Sequence, residues 1–307
     1  MRFKTLALFG LVAVSLNAQD YVDIAKVFYA NTPVNQNDTG TYAGSRVEEY
    51  GIDLLVPLEL KNNNALLFGL FAESINATVT PDESNLTSVY STMLKAGVKL
   101  NHSEKWSGTY LLLPKFSTDF KGTLNSDDFQ LGAIGLLSYQ QRSNFKWKFG
   151  IYYNSEMFGP FFVPIVGFYY LSQNQKFEAN ITLPLAADAN YEFNKTFRAG
   201  MNFSTFVRSY NLNEAYQGNP NNYLVKVSNE VFSYLQIHVT PSAILQFKVG
   251  YSIGRNYRIY DIQDRATWGL SAFKFGDNRE QLNSDFSDGL IFRTRFIYRF
   301  HLNKEEN

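Results

Sequence analysis

The stretch DGLIFRTRFIYRF, Asp288 to Phe300, decides the fold. Its even positions hold Leu290, Phe292, Thr294, Phe296, Tyr298 and Phe300. Its odd positions hold Gly289, Ile291, Arg293, Arg295, Ile297 and Arg299. A period of two means a strand with two unlike faces, one apolar and aromatic, the other carrying three arginines. A soluble strand of this kind would turn its apolar face into a core. Here the same alternation recurs along the whole chain, and an aromatic-rich strand ends it, as in a barrel whose outer face meets lipid.

The repeat is clearest in Tyr50, Ile52, Leu54, Val56, Leu58 and Leu60, which share one face against Glu49, Asp53 and Glu59 on the other. It returns in Tyr90 to Leu100, Phe145 to Tyr153, Phe177 to Leu183 and Leu245 to Ile253. Short turns fall at Asn62, Asn101, Gln141, Gln173, Asn194 and Thr240, and longer polar connections alternate with them. That asymmetry is the one expected of short periplasmic turns and longer outer loops. Counting predicts an all-β, antiparallel, up-and-down transmembrane barrel of about fourteen strands with both termini in the periplasm. The parity depends on a hairpin near Pro184. If Leu183 to Phe193 were one bent strand, Trp268 to Phe275 would have to supply another; about twelve strands is the second count.

Composition agrees. With 28 basic and 28 acidic residues the chain offers no electrostatic case for nucleic acid. Its 27 Phe and 20 Tyr suit strands and interfacial girdles. There is no cysteine, hence no disulfide, thiolate metal site or cysteine nucleophile. Residues 1–18 have the form of a signal peptide: Arg2 and Lys4, an apolar run from Leu6 to Leu16 too short to span as a helix, and Ala18 before the expected cut. Residues 19–307 are then the barrel. Its longest apolar run, Phe161 to Leu171, is interrupted by Pro164 and Gly167.

The signal peptide, the aromatic hairpins and the ending Gly289-Leu290-Ile291-Phe292 through Tyr298-Arg299-Phe300 resemble an uncharacterised, porin-like family of Gram-negative outer-membrane barrels, classed only as a domain of unknown function. The resemblance implies residence in the outer membrane among its lipids. It also implies insertion by the barrel-assembly machinery, with Phe292, Phe296, Tyr298 and Phe300 as the assembly signal. It implies no activity and no cofactor.

Chemistry is sparse. Barrel acyl hydrolases need a Ser/His pair at the outer rim, within hydrogen-bond reach. His102, His238 and His301 all fall at the periplasmic end of the expected topology, so no enzyme is expected and no metal-ligand spacing exists. The lumen face is the stronger feature. Arg293, Arg295 and Arg299, with Lys248, form a candidate basic wall; Glu49, Asp53 and Glu59 form a candidate acidic face, and Lys226, Glu230 and Asp23 lie on nearby strands. Fixed charge of this kind favours passage of small anionic solutes, or else the arginines pair with the acidic second strand and fill the interior. Ile291, Ile297, Leu55, Phe232 and Tyr234 are apolar lumen positions that a greasy path would use. Passive or facilitated passage of small solutes is thus the first functional expectation. A closed structural or surface-interaction barrel acting through its loops is the second, and a lipid-modifying enzyme the third. The loop Arg258 to Asp285 carries Asp261, Asp264, Asp277, Glu280 and Asp285, in no defined cation-loop spacing.

Overall fold

The computed structural model describes residues 21–33, 36–37, 40–41, 47–77, 87–214, 216–283 and 288–301; the expected signal peptide lies outside them. Fourteen wall strands follow in chain order. They are β1 (Tyr21–Thr32), β2 (Val47–Glu59), β3 (Ala65–Ala77), β4 (Thr87–Asn101), β5 (Trp106–Thr118), β6 (Phe129–Arg142) and β7 (Phe145–Glu156). After them come β8 (Gly159–Leu171), β9 (Phe177–Leu183), β10 (Ala186–Glu192), β11 (Phe197–Leu212), β12 (Asn222–His238), β13 (Ala243–Asp261) and β14 (Leu290–His301). Each pairs antiparallel with its sequence neighbours, and β14 pairs with β1 from Tyr21↔His301 to Asn31↔Phe292. The sheet therefore closes and satisfies backbone polar groups between strands, the condition for strands to cross hydrocarbon. The hairpin at Pro184 is real, and the fourteen-strand count holds. Trp268 to Phe275 is no wall strand but a small hairpin, Trp268–Leu270 and Phe273–Phe275, within the longest loop.

The faces follow the alternation. On β14, Leu290, Phe292, Phe296 and Tyr298 are 43–52% exposed, while Ile291, Arg293, Ile297 and Arg299 are buried at 3–4%. Outward aromatic pairs mark two rims. Trp106–Tyr139 and Phe145–Trp147 lie at the short-turn end; Tyr29–Tyr50, Phe116–Phe129 and Tyr153–Phe162 lie at the other. An apolar band between two aromatic rims on a closed barrel is the geometry of a Gram-negative outer-membrane protein. The short turns use asparagine where the backbone needs positive φ, as at Asn62 (61°) and Asn63 (56°).

Two departures from a plain barrel place the site. Strands β9 and β10 have seven residues each, against twelve or more in the others. The β8–β9 ladder begins only at Val166↔Leu183, and β10 leaves β11 at Ala186↔Ser204, with one further bond from Thr205 N–H to Leu185 C=O. Above that level two wall strands are missing.

The outer ends of β11, β12 and β13 do not fill the gap; they fold into the lumen as a three-stranded sheet. Asn211 of β11 makes a parallel bridge to Thr118 of β5 on the far side, and Asp119 N–H donates to Asn211 C=O. The turning point is a bulge: the β12–β13 register shifts between Val227 and Asn229, opposite Gly254 with φ of +65°. A glycine in left-handed conformation supplies the sharp local twist that re-aims a strand. One face of the inturned sheet packs Tyr210, Leu212, Leu224, Tyr257 and Ile259 on Val47, Ile75 and Val89 of β2–β4. Its other face packs Tyr223, Val225 and Tyr260 on Phe158, Phe161 and Val163 beside β8.

Candidate functional site

The sequence-expected charges all lie on wall strands whose alternate residues face the lumen, and the structure sorts them into separate groups. Arg293 lies between Glu230 at 2.9 Å and Glu49 at 3.5 Å. Glu49 also receives Lys226 Nζ at 2.5 Å and the Tyr257 hydroxyl at 3.2 Å. Arg299 pairs with Asp23 at 2.7 Å and stacks 3.5 Å over the Tyr21 ring. Lys248 donates to Asn202 and sits 4.7 Å from the Phe232 ring centre. Asp53 pairs with Lys95. Arg295 lies 5.9 Å from the Phe28 ring centre, and its buried Nε has no hydrogen-bond partner among the described residues. The Oε1 of Glu59 is likewise buried and without such a partner. Arg293 and Glu49 are thus brought together, while Arg299, Asp53 and Glu59 stay apart from them.

Charges that the sequence did not single out hold the inturned sheet. Arg208 pairs with Glu73 of β3, which also accepts from the Tyr210 hydroxyl at 2.8 Å. Glu156 of β7 accepts from Ser209 N–H at 2.8 Å and from its hydroxyl at 2.5 Å, and pairs with Lys115 of β5 at 3.2 Å. Gln130 of β6 donates to Ser209 C=O at 3.0 Å, and Asn211 donates to Asp128 at 3.0 Å. With the two apolar packings, the sheet touches the inner wall from β2 round to β8. A straight axial path is therefore filled at the outer end. The sequence did carry a signal: Tyr223-Leu224-Val225 and Ile259-Tyr260 are apolar on both faces, which a strand between lipid and water would not be.

Where the wall strands are missing there is a cleft of about 420 Å³. Tyr152, Phe161 and Val163 from the lumen faces of β7 and β8 line one side, Phe203 and Val207 of β11 the other, and Leu185 the floor. Its polar neighbours are mostly engaged: Thr205 donates to Asn229 at 2.9 Å, and Arg208 is held by Glu73. The loop hairpin roofs it, adding a parallel ladder to the free edge of β8 at Phe161↔Gly269 and Phe162↔Leu270. That hairpin exposes Trp268, Phe273 and Phe275 and stacks Trp268 on Phe275 at 4.3 Å. The floor at Val166↔Leu183 is four residues below the Tyr153–Phe162 rim, roughly 13 Å at ~3.3 Å per residue. The cleft thus spans the outer part of the apolar band.

At the roof, Lys274 contributes to the lining and sits 5.1 Å from the Phe158 ring centre. Burial, and then the Arg279 charge, push its ammonium down to about 8. Arg279 is itself bound to Asp277 at 2.7 and 2.9 Å, which holds that carboxyl below the ordinary aspartate range. Asp285 of the same loop lies outside the described residues. The histidines are remote from the cleft: His102 contacts the Tyr110 hydroxyl at 3.0 Å beside a short turn, and His238 and His301 end β12 and β14 at that same rim.

The sequence model of the family described as Domain of unknown function (DUF6268) matches residues 14–287. The chain belongs to this family. Members of DUF6268 are thus represented here by a fourteen-strand outer-membrane barrel. No curated protein matches the sequence. Among solved structures, this DUF6268 barrel is similar to the COG4313 outer membrane channel from Pseudomonas putida F1, at 10% identity and a TM-score of 0.44, over 94% of this chain and 100% of that one. It is also similar to the P. putida toluene transporter TodX, at 10% identity and 0.36, over 96% and 97%. A third is the NanC porin, at 12% identity and 0.34, over 89% and 98%.

Proposed function

We propose that the barrel is a facilitated conduit for small solutes, which move between the lumen and the membrane through the lateral cleft rather than along an open axial pore. One observation carries this reading. The barrel's own strands block the axial route at the outer end, and the same departure from the wall leaves an apolar opening at the level of the bilayer. Below the inturned sheet, the lumen faces of the wall strands carry the buried polar side chains Asn190, Gln236 and Gln246. Strand edges left unpaired within hydrocarbon are costly, and the loop hairpin covers the β8 edge only at Phe161 and Phe162.

The test has two arms. In a planar bilayer, the refolded barrel is expected to be almost silent while its heat-modifiable gel mobility shows it folded. Steady openings with an anion preference lost in Arg295→Glu would instead give the basic wall an axial filtering role and overturn the lateral route. In a porin-deficient Gram-negative host, the barrel is expected to speed decanol uptake. Because the chain has no cysteine, Leu185→Cys can be labelled alone. A bulky maleimide there is expected to abolish the gain, whereas one at Lys121→Cys in an outer loop is not. Uptake indifferent to the Leu185→Cys label would sink the proposal.

A further inference from the structure

The cleft has an apolar body and one cationic group at its outer end. Lys274 pairs across the loop hairpin with Gly269, which pairs in turn with Phe161 of β8, so its backbone lies at the height of the outer aromatic rim. Below it Phe161, Val163, Leu185 and Phe203 extend the lining into the apolar band. The charged groups around Lys274 are accounted for. Arg279 is bound to Asp277; that carboxylate also acts favourably on the Lys274 ammonium, while Arg279 and Arg258 oppose it, and Lys274 forms no salt bridge with a described carboxylate. Its ammonium faces the Phe158 ring and the cleft. A cation without a salt bridge to a described carboxylate, set above an apolar trough, complements a molecule with one anionic end and one greasy end, lying as a lipid-soluble acid does across an interface.

We propose that the cleft binds single-chain amphiphiles bearing one negative charge, with the anionic head on Lys274 and the tail along Phe161, Val163, Leu185 and Phe203. The proposal rests on the lateral-conduit reading and names its solute class. Arg208, the other cation in the lining, is held by Glu73 and is not assigned this role. The ammonium is positive below pH 8 and neutral above it, so head-group binding is full at neutral pH and is lost as pH rises through about 8.

The experiment is equilibrium binding of decanoate and of decanol to the full-length barrel in nanodiscs of zwitterionic lipid. Decanoate is expected to bind tighter than decanol at pH 7. Lys274→Met should weaken decanoate by about tenfold or more, the worth of a charge-assisted hydrogen bond, and leave decanol unchanged. Lys274→Arg should restore decanoate binding and remove its decline between pH 7 and 9. Leu185→Trp, which fills the trough, should weaken both ligands. Equal affinity for the two ligands with no effect of Lys274→Met would overturn the head-group assignment, yet leave the conduit standing if labelled Leu185→Cys still blocks uptake. Stoichiometric membrane lipid that decanoate cannot displace would also overturn it and make the cleft a lipid site. Failure of both ligands to bind, together with uptake indifferent to the Leu185→Cys label, would remove both proposals.

Discussion

Arg293 is the residue on which the lumen network converges. Its guanidinium bridges Glu49 on β2 and Glu230 on β12, with the Phe232 ring 4.9 Å away. Removing one partner of a buried pair leaves a charge without compensation, which costs more than the pair contributes over an apolar substitute. Arg293→Met is therefore expected to lower stability by ~3 kcal/mol, read as a fall in the guanidinium midpoint of the refolded barrel. Arg293→Lys should recover only part, since a single ammonium cannot fork between two carboxylates. An unchanged midpoint would mean that Lys226 alone balances the cluster. The lumen-facing position of Arg293 was legible from alternation, and its pairing with the acidic second strand was one of the two alternatives that alternation left open. Glu73 of β3 and Glu156 of β7 were not legible as partners of β11, because Arg208 and Ser209 reach them only after β11 turns inward.

The loop hairpin Trp268–Phe275 shows the same limit for an element. Its sequence was a candidate for an additional wall strand, and its pairing along the edge of β8 makes it a roof instead. The Asp277–Arg279 bond beside it gives a pH-dependent support. A carboxyl held below its ordinary range stabilises the fold fully above that range and loses the contribution as pH falls through the depressed value. With Trp106 and Trp147 changed to Phe, Trp268 emission should stay constant at neutral pH and change only below the ordinary aspartate range. In Asp277→Asn that transition should vanish. A transition that persists in Asp277→Asn would place the titration on another group.

For the whole molecule, the decisive feature is the direction taken by the outer ends of β11–β13. Gly254 permits it, since a side chain at φ of +65° is strained by ~1–2 kcal/mol. Gly254→Val is expected to weaken the inturned sheet and to raise the conductance above the parent's, while its gel mobility still reports a folded barrel. Conductance equal to the parent's would show that the sheet is held by its contacts and not by the bulge. The sequence by itself determined an outer-membrane barrel of about fourteen strands and its two faces, because a period of two between lipid and lumen is written locally, residue by residue; the structure fixed fourteen over the second count of twelve. Only the tertiary structure decided that three strands close the lumen and open the wall. Alternation says that a strand has two faces; it does not say whether the far face meets water or the opposite wall, since that contact joins residues more than a hundred positions apart, as in Tyr210 and Glu73.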